Sequence, residues 1–559
     1  MWARVGGYHF DYKDTSKSIN GIQANVEFTL NNNLSLILQD NYDNQNDNRF
    51  SAGLRLRLGG STAPKNTIQG RMMDPIIRHQ ARQSYGEALP SRDNYVANGP
   101  QFNAFDNVWF FSPNGSKSRM LQTMNAQQTP IDLSSCTAEN PCGTLDTFTT
   151  EGIAAIAPNA NMFFETGTYA IPTNPENGYD WVRMYDGQSV YGREKGWLQP
   201  AFGDNRPLIS GALFWGSYNG GPYDPAKADI ANGQVRNLRI NSAGDAILTL
   251  DPFFNPNDPV DTVLALGGTG DLRIYDSSLS AESNEDVSDK VLALSGFGNV
   301  IVEHTDFDAF NFNSSSGIRA DAGDVSLNYS NMHISADTQA SIGVFAARNI
   351  DIYNSNINTH SNNLINGSTN AVWGFGNTQT IKIVNSNINA SADGERTVSG
   401  VALFNFSSPE PRSIIIDGST INVTNNGNPQ EGINDNAIGV LGFSLASPSN
   451  ILVNNSTINA TNNGSSNTNT AQANAINNFQ GDIVINNSTL TASKNSNLTS
   501  DNSLISGIQV GGPGGNVSLN NSTIKINGPS SSDLEPVFNE SDLTVNQSRC
   551  FKNGSKVDC

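Results

Sequence analysis

A short unit that recurs nine times constrains the fold of this 559-residue chain more than any other feature of its sequence. The unit reads apolar-x-apolar-x-x-Ser/Thr-x-apolar, and its copies start 25 to 37 residues apart. Self-similarity at such a period is typical of a solenoid, in which each repeat forms one coil and loops of variable length separate the repeats. The copies are LRIYDSSL from Leu272, VIVEHTDF from Val300, VSLNYSNM from Val325, IDIYNSNI from Ile350, IKIVNSNI from Ile381, IIIDGSTI from Ile414, ILVNNSTI from Ile451, IVINNSTL from Ile483 and VSLNNSTI from Val517.

One copy, IDIYNSNI, shows how the unit builds a coil. Ile350 and Ile352 lie on the same face of a strand and enter the core, while Asn354-Ser355 turn the chain and Ile357 enters the core from the next strand. Stacking such coils in register places Ile on Ile and Asn on Asn, so amides and hydroxyls at the bends can bond along the axis. A second short run in most repeats, such as SIGVFAA or AVWGFG, is predicted to be another strand of the same coil.

Composition favours strands over helices in these coils. The apolar positions have period two, and the dominant Ile, Val, Thr and Asn are poor helix formers, which excludes a helical solenoid. Charged residues are only 15% of the chain, because Asn, Ser and Thr take their place, and a charge repeated on every coil would repel its own copy. The sequence therefore predicts an all-β chain whose main part is a parallel β-helix.

The charge balance bears on possible partners. The net charge is −20, and only nine Lys and Arg residues, spread singly, lie between Ala243 and Ser548. A protein that binds nucleic acid needs a clustered basic face, so no nucleic acid partner is predicted. The segments GGTGD and GGPGG lack the Lys-Ser/Thr of a phosphate loop, and no cofactor or metal is predicted.

The four cysteines form two close pairs, Cys136 with Cys142 and Cys550 with Cys559. An even number of cysteines, grouped in pairs that are close in sequence and far from each other, predicts two local disulfides and an oxidising, extracytoplasmic location. A zinc site is the rival interpretation. It would need CxxC-type spacing or nearby histidines, and the five histidines of the chain are scattered.

The first sixty residues alternate apolar and polar residues in a different arrangement. The segments GIQANVEFTL, NNLSLILQD and RFSAGLRLRL are each about ten residues long and are separated by Asn- and Asp-rich turns. That length and a polar alternate face carrying arginines are typical of transmembrane barrel strands. The alternative is a soluble antiparallel meander with one solvent-exposed face.

The segment VEFTLNNNLSLILQDNYDNQNDNRFSAGLRLRLGG resembles the last strands of the inverse autotransporter β-domain, the barrel of the intimin and invasin adhesins. The segment RMMDPIIR, from Arg71 to Arg78, follows the last of these strands. In that family this position is occupied by a linker that passes back through the pore of the barrel. The resemblance implies that residues 1 to 60 are the barrel's C-terminal strands and residues 61 to 130 the linker and lead-in. It also implies an outer-membrane and cell-surface location, with a secreted part that binds a glycan or protein on host cells or surfaces.

Several parts of that family's pattern are missing from the sequence. The start, MWARVGGYHF, has no signal peptide, and no apolar run approaches the eighteen residues of a spanning helix. Three or four strands cannot close a membrane barrel, which has eight or more. The expectation is that the chain is truncated at the N-terminus and that the strands are the end of a longer barrel.

The stretch from Cys136 to Ile171 resembles the N-terminal cap of right-handed parallel β-helices of the pectate-lyase type. Its middle, from Leu145 to Ile156, is a short helical candidate, and such a cap protects the unpaired backbone of the first coil. The predicted boundaries are residues 131 to 530 for a right-handed β-helix with its cap. Residues 531 to 559 are predicted to be a C-terminal cap or tail held by the second disulfide.

One cluster of residues has the composition of a catalytic site. Aligning the repeats puts Asp308 beside His333, with Asp306 close by and Arg319 on the intervening run. Two carboxylates and a base can activate a C–H bond or a water molecule. The structural interpretation, which we favour, is that these are solvated outward positions of an acidic solenoid.

Two functions from different classes follow. The first is a bacterial surface adhesin, without enzyme activity, anchored in the outer membrane and displaying a β-helix. The alternative is a polysaccharide lyase or glycoside hydrolase acting on an extracellular glycan, with Asp306, Asp308 and His333 as its candidate residues.

Overall fold

A computed structural model gives the fold, in two compact units, Met1–Phe105 and Asp106–Cys559. Strands are numbered along the chain. The described ranges contain no α-helix, and therefore no helix that is long and apolar enough to span a membrane. The structure describes residues 2–11, 18–29, 34–43, 47–56, 108–116, 136–143, 159–171, 181–216, 230–243, 262–283, 290–362, 368–393, 397–406, 409–427, 436–464, 472–495, 504–512, 515–529, 533–538 and 542–559.

The first unit contains a four-stranded antiparallel sheet in the order β1-β2-β3-β4. Its register places Val5 opposite Ala24 and Asp40 opposite Phe50, so Val5, Ile22, Phe50 and Leu54 lie on one face. These four apolar side chains are exposed. The predicted strands are therefore confirmed as an antiparallel sheet with one apolar face. Its strands are β1 Trp2–Asp11, β2 Ser18–Thr29, β3 Leu34–Asp43 and β4 Asp47–Leu56.

The second unit contains three long, mostly parallel sheets, and the chain visits them in turn, as a parallel β-helix does. Sheet 1 holds β5 Val108–Ser116, β6 Asn161–Glu165, β9 Ser189–Arg193, β12 Gly233–Arg236, β15 Leu272–Tyr275, β18 Val300–Glu303, β21 Val325–Asn328, β24 Ile350–Tyr353, β27 Thr380–Val384, β30 Arg412–Asp417, β33 Ser449–Asn454, β36 Ile483–Asn486, β39 Asn516–Asn520 and β42 Asp542–Asn546. Sheet 2 holds β7 Thr168–Ala170, β10 Leu208–Ser210, β13 Arg239–Ala243, β16 Ser278–Ser283, β19 Asp306–Asn311, β22 Asn331–Ala336, β25 Asn356–Ser361, β28 Asn387–Ala392, β31 Thr420–Asn425, β34 Thr457–Asn462, β37 Thr489–Lys494, β40 Thr523–Asn527, β43 Arg549–Lys552 and β44 Ser555–Val557. Sheet 3 holds β8 Trp181–Met184, β11 Ala212–Trp215, β14 Thr262–Gly268, β17 Lys290–Gly296, β20 Ser314–Ala320, β23 Ser341–Ala346, β26 Thr369–Phe375, β29 Val398–Asn405, β32 Asn436–Ser444, β35 Gln472–Asn478, β38 Leu504–Val510 and β41 Asp533–Phe538.

The repeated unit spans a sheet 1 strand, a two-residue bend and the start of a sheet 2 strand, as predicted. Ile350, Ile352 and Ile357 are fully buried, and Asn354 adopts the left-handed conformation that turns the chain. Asparagine and glycine tolerate this conformation better than other residues, which explains their frequency at the bend. The bend residues with φ between 47° and 58° are Asn237, Asp276, His304, Tyr329, Asn354, Asn385, Gly418, Asn455, Asn487, Asn521 and Gln547.

The residue after each left-handed bend forms a hydroxyl ladder along the stack. The backbone N–H of Ser355 donates to Ser386 Oγ, and the N–H of Ser386 donates to Ser419 Oγ, each at 3.1 Å. Each hydroxyl in turn donates to the carbonyl two residues before it, as Ser386 Oγ does to Val384 O at 2.8 Å. The ladder runs unbroken from Leu238 N to Ser548 Oγ, so buried backbone groups at the bends are satisfied by the neighbouring coil.

Side chains in the sheets also stack in register. Inside, Ile383 lies between Ile352 and Ile416, and all three are fully buried. Outside, on sheet 2, Asn389 Nδ2 donates to Asn358 Oδ1 at 2.7 Å, and the same bond recurs in the next coils. The predicted aliphatic core is therefore confirmed, and so are amide bonds at the bends, such as that from Asn521 Nδ2 to Asn487 Oδ1 at 2.9 Å.

The described β-helix extends beyond residues 131 to 530 at both ends. Val108–Ser116, which the sequence placed in the lead-in, pairs in parallel with β6 and forms the first strand of sheet 1. At the other end, β41, β42 and β43 add one more coil to the three sheets. The predicted cap helix and most of the predicted linker lie outside the described residues.

Both predicted disulfides are present, Cys136–Cys142 and Cys550–Cys559. The Cys550 side chain is buried on the inward face, in register with Ile524 of the preceding coil. The second disulfide joins Cys559, just after β44, to β43 of the last coil and so closes the hairpin of β43 and β44. This antiparallel hairpin follows the end of the parallel stack and covers part of its open edge.

Removing the second disulfide should loosen the end of the solenoid. Replacing Cys550 and Cys559 together by alanine is expected to destabilise the last coil by about 2 to 4 kcal/mol. Because each coil contacts only its neighbours, the loss should be local. Hydrogen exchange should quicken in β40 and β43 and stay unchanged in β24. Equal acceleration in both regions would contradict a local capping role.

Candidate ligand-binding surface

The predicted catalytic cluster lies on the outward face of sheet 2. Asp306 and Asp308 are on β19, His333 is on β22, and all three side chains are exposed. Asp308 and His333 are paired in register, as the repeat alignment indicated. Arg319 does not join them, because it is on β20 of sheet 3, where its Nε lies 2.7 Å from Asp321 Oδ1.

The contacts of Asp306 are those of a structural surface residue. Its Oδ1 accepts a hydrogen bond from Asn331 Nδ2 at 3.0 Å. Burial lowers the pKa of the Arg206 guanidinium, and the carboxylate of Asp306 opposes this shift. Within the described ranges, no group of three or more His, Cys, Asp or Glu side chains is placed to hold a metal ion.

A second polar cluster that the sequence interpretation did not identify also lies on sheet 2. His360 Nδ1 is 2.8 Å from Ser391 Oγ, and His360 Nε2 is 2.8 Å from Asn362 Oδ1 and 3.7 Å from Asp393 Oδ2. This resembles a serine nucleophile with its base. However, β25 and β28 pair along their full lengths, so the nearby backbone N–H groups are used in the sheet and are not available to stabilise an oxyanion. We therefore interpret this cluster as part of the polar ladders.

Sheet 3 carries a surface of a different kind. Nine of its twelve strands, from β14 to β38, contain a small residue that lies between two residues paired with the neighbouring strands, such as Gly439 of β32. A Cβ atom at Gly439 would lie 2.4 Å from both Ala475 O and Ile458 Cγ2, so the strands approach closely here. The small residues in this column are Ala265, Ala293, Gly317, Gly343, Ala371, Gly400, Gly439, Ala475 and Gly507.

In several coils, aromatic side chains occupy the outward position two or four residues after this column. The fourth position is phenylalanine in four successive coils, and further aromatic residues lie beside it. We call the set the aromatic row. It consists of Phe345, Trp373, Phe375, Phe404, Phe406, Phe443 and Phe479.

The rings of the aromatic row touch one another from coil to coil. The centroid distances are 5.9 Å between Phe404 and Phe443 and 5.2 Å between Phe443 and Phe479. Phe406 is 51% exposed, and most of the other rings are partly exposed. Leu445, 55% exposed, lies two residues after Phe443 and extends the patch. A contiguous apolar patch of this kind on an otherwise polar surface marks an interaction site.

Polar groups border the aromatic row at both ends. On the N-terminal side, Arg319 lies over the Phe345 ring at 5.4 Å and is paired with Asp321. On the C-terminal side, Asn477 Nδ2 and Asn474 Nδ2 both donate to Gln509 Oε1, at 3.1 Å and 3.0 Å. The row thus passes from an ion pair through aromatic rings to amides.

The sequence contained a signal for the aromatic row. The second runs of the repeats, SIGVFAA, AVWGFG, VSGVALF and AIGVLGF, align on their small residue. That alignment places Phe345 and Trp373 in one column and Phe375, Phe404 and Phe443 in another.

Comparisons with known proteins provide no family for the chain. No protein-family model matches it, and a search of curated proteins finds no match. The fold therefore stands on the three parallel sheets, and the resemblance to inverse autotransporters stays a prediction.

Proposed function

We propose that the chain is part of a bacterial surface adhesin of the inverse autotransporter kind. In this proposal residues 1 to 60 are the final strands of an outer-membrane barrel, and the linker lies within residues 61 to 107, because Val108–Ser116 belongs to the β-helix. The β-helix is displayed at the cell surface, where it binds a glycan or protein of a host cell or another surface. Two disulfides in one chain are in keeping with an extracytoplasmic location.

The first unit supports the membrane part of the proposal. Its strands are ten or twelve residues long, a length that spans a bilayer when tilted. Val5 is 77% exposed and Leu54 is 71% exposed on the same apolar face. Contact with lipid would remove this face from water.

The aromatic row is the observation that carries the binding part of the proposal. It covers several coils and is partly exposed, and the acid and base at its N-terminal end, Asp321 and Arg319, are paired with each other. Such a surface is suited to holding a ligand and not to breaking one. We therefore propose adhesion without turnover.

Bead adhesion tests this function. Beads carrying the chain should adhere to host-cell monolayers or glycan-coated surfaces more than beads carrying albumin. Adhesion should fall towards the albumin level in the Phe404→Ala/Phe443→Ala double variant, because the centre of the row is removed. Equal adhesion of chain-coated and albumin-coated beads would refute the proposal.

A polysaccharide lyase or hydrolase is the second candidate, and the pairing of Asp308 with His333 in register favours it. Incubation of the chain with uronic-acid polymers and neutral glycans distinguishes the two. We expect no release of unsaturated products or reducing ends. Release that disappears in Asp308→Ala would establish the enzyme and overturn adhesion without turnover.

A further inference from the structure

We propose that the aromatic row binds an uncharged glycan chain that lies along the stacking direction of the coils. The inference rests on the proposed ligand-binding function and names the class of its ligand. Its site is the centre of the row, where four successive coils contribute Trp373 and Phe375, then Phe404, then Phe443, and then Phe479.

Charge is the first argument for a neutral ligand. In the five coils from β26 to β38, the outward positions two and four after the small residue hold no ionisable side chain. The chain as a whole carries a net charge of −20. A polyanion is repelled by such a protein, and a polycation is attracted to the carboxylates elsewhere and not to this strip. The positions are Trp373, Phe375, Ala402, Phe404, Leu441, Phe443, Asn477, Phe479, Gln509 and Gly511.

The chemistry of the side chains is the second argument. The face of an aromatic ring is electrically negative, and the C–H groups on the face of a sugar ring are its weakly positive complement. Sugar hydroxyls need hydrogen-bond partners at the edge of the same surface. Asn477 Oδ1 and Gln509 Nε2 make no hydrogen bond within the described part of the chain, whereas the other polar atom of each amide is used. These two atoms supply an acceptor and a donor.

Spacing is the third argument. Coils of the solenoid repeat at about 4.8 Å, the distance between neighbouring strands. The ring centroids of Phe443 and Phe479 are 5.2 Å apart. One sugar ring per coil fits this repeat, so a linear glycan parallel to the stack can meet a new aromatic ring at each residue. A globular partner has no reason to match a repeat of this kind.

Affinity electrophoresis tests the assignment. The full chain, kept in a polyoxyethylene detergent that carries no sugar, is run through native gels containing hydroxyethyl cellulose, glucomannan, dextran or carboxymethyl cellulose. We expect retardation by at least one neutral polymer and weaker retardation by the anionic carboxymethyl cellulose. The Phe404→Ala/Phe443→Ala variant should bind about tenfold more weakly, because two stacking rings are lost.

Matched variants keep the test interpretable. Phe406→Ala changes an exposed ring of the row, and Tyr329→Ala changes a ring of similar exposure at the bend between sheets 1 and 2. We expect weaker binding only in the first. Phe443→Leu separates stacking from simple apolar contact, because leucine keeps the apolar surface and removes the ring. Circular dichroism verifies that each variant is folded.

The outcomes separate this inference from the proposed function. Bead adhesion that depends on the row, without retardation by any neutral polysaccharide, would overturn the glycan assignment and leave the adhesin. Retardation that depends on the row, without bead adhesion, would overturn the adhesin and leave the glycan assignment. Preference for carboxymethyl cellulose, or a dimer that Phe406→Ala dissociates, would also overturn the assignment. The dimer would mean that a second copy of the chain covers the row.

Discussion

Replacing Ile416 with alanine should destabilise the β-helix by about 2 to 5 kcal/mol, the usual cost of a cavity at a buried isoleucine. Ile416 is fully buried in β30 and stacks between Ile383 and Val453 of the adjacent coils. The three side chains belong to one continuous column. A shortened side chain therefore removes contacts on both neighbouring coils. Urea denaturation followed by far-UV circular dichroism measures the loss.

The adjacent residue provides a matched control. Ile415 is also an isoleucine, but it points outward from the same strand and is partly exposed, between Lys382 and Leu452. Ile415→Ala should cost about 1 kcal/mol or less, since part of its surface already contacts water. Equal losses in the two variants would contradict the alternation of inward and outward positions in β30. Hydrogen exchange in β27 and β33 would show whether the damage stays local.

Much of the fold could be predicted because each coil repeats the same physical problem. A pair of aliphatic residues at i and i+2, as at Ile350 and Ile352, specifies a half-buried strand, and Asn354-Ser355 specifies a bend. Nine repetitions remove the ambiguity of any single copy. Three strands of the first unit, β2, β3 and β4, were also predictable, because apolar and polar residues alternate regularly along them.

The binding surface was harder to predict. Trp373 and Phe404 resemble core residues in sequence, because each belongs to the apolar run that follows the small residue of its strand. Aligning the repeats places such residues in columns, but the burial of the strands in the structure is needed to show that the columns face outward. Arg319 shows a second difficulty. Its position between the repeats suggested that it lies near Asp308, but the chain turns a corner between β19 and β20, which places Arg319 on another sheet. Assigning a residue to a face requires knowing where each coil turns.

The low charge of the sequence and the aromatic row have a common physical basis. Register stacking copies each outward side chain at about 4.8 Å, so charges are penalised while amides, hydroxyls and rings are favoured. Asn358, Asn389 and Asn422 use this repetition for hydrogen bonds, and Phe404 and Phe443 use it for ring contact. The surface is therefore repetitive in the first place because repeated, mutually compatible side chains stabilise the stack. Its fit to a repetitive ligand follows from the same spacing.

Replacing Ser419 with valine should cost about 2 to 3 kcal/mol, although it adds apolar surface. Ser419 Oγ accepts the backbone N–H of Ser386 at 3.1 Å and donates to Asp417 O at 2.8 Å. Valine can do neither, so the N–H of Ser386 is left buried without its acceptor, and an unsatisfied buried donor costs about 1 to 3 kcal/mol. The stability loss is measured by urea denaturation. Exchange of the Ser386 amide proton should also become faster.

Threonine provides the control, because it has the shape of valine and keeps the hydroxyl. The same rung is threonine in another coil, where Thr305 Oγ1 donates to Glu303 O at 3.0 Å and accepts from Ser277 N at 3.4 Å. Ser419→Thr should therefore cost little and leave the exchange of the Ser386 amide slow. If threonine and valine destabilised the chain equally, crowding at the bend and not the missing hydroxyl would be the cause. A large difference between them would measure what one rung of the hydroxyl ladder contributes to the stack.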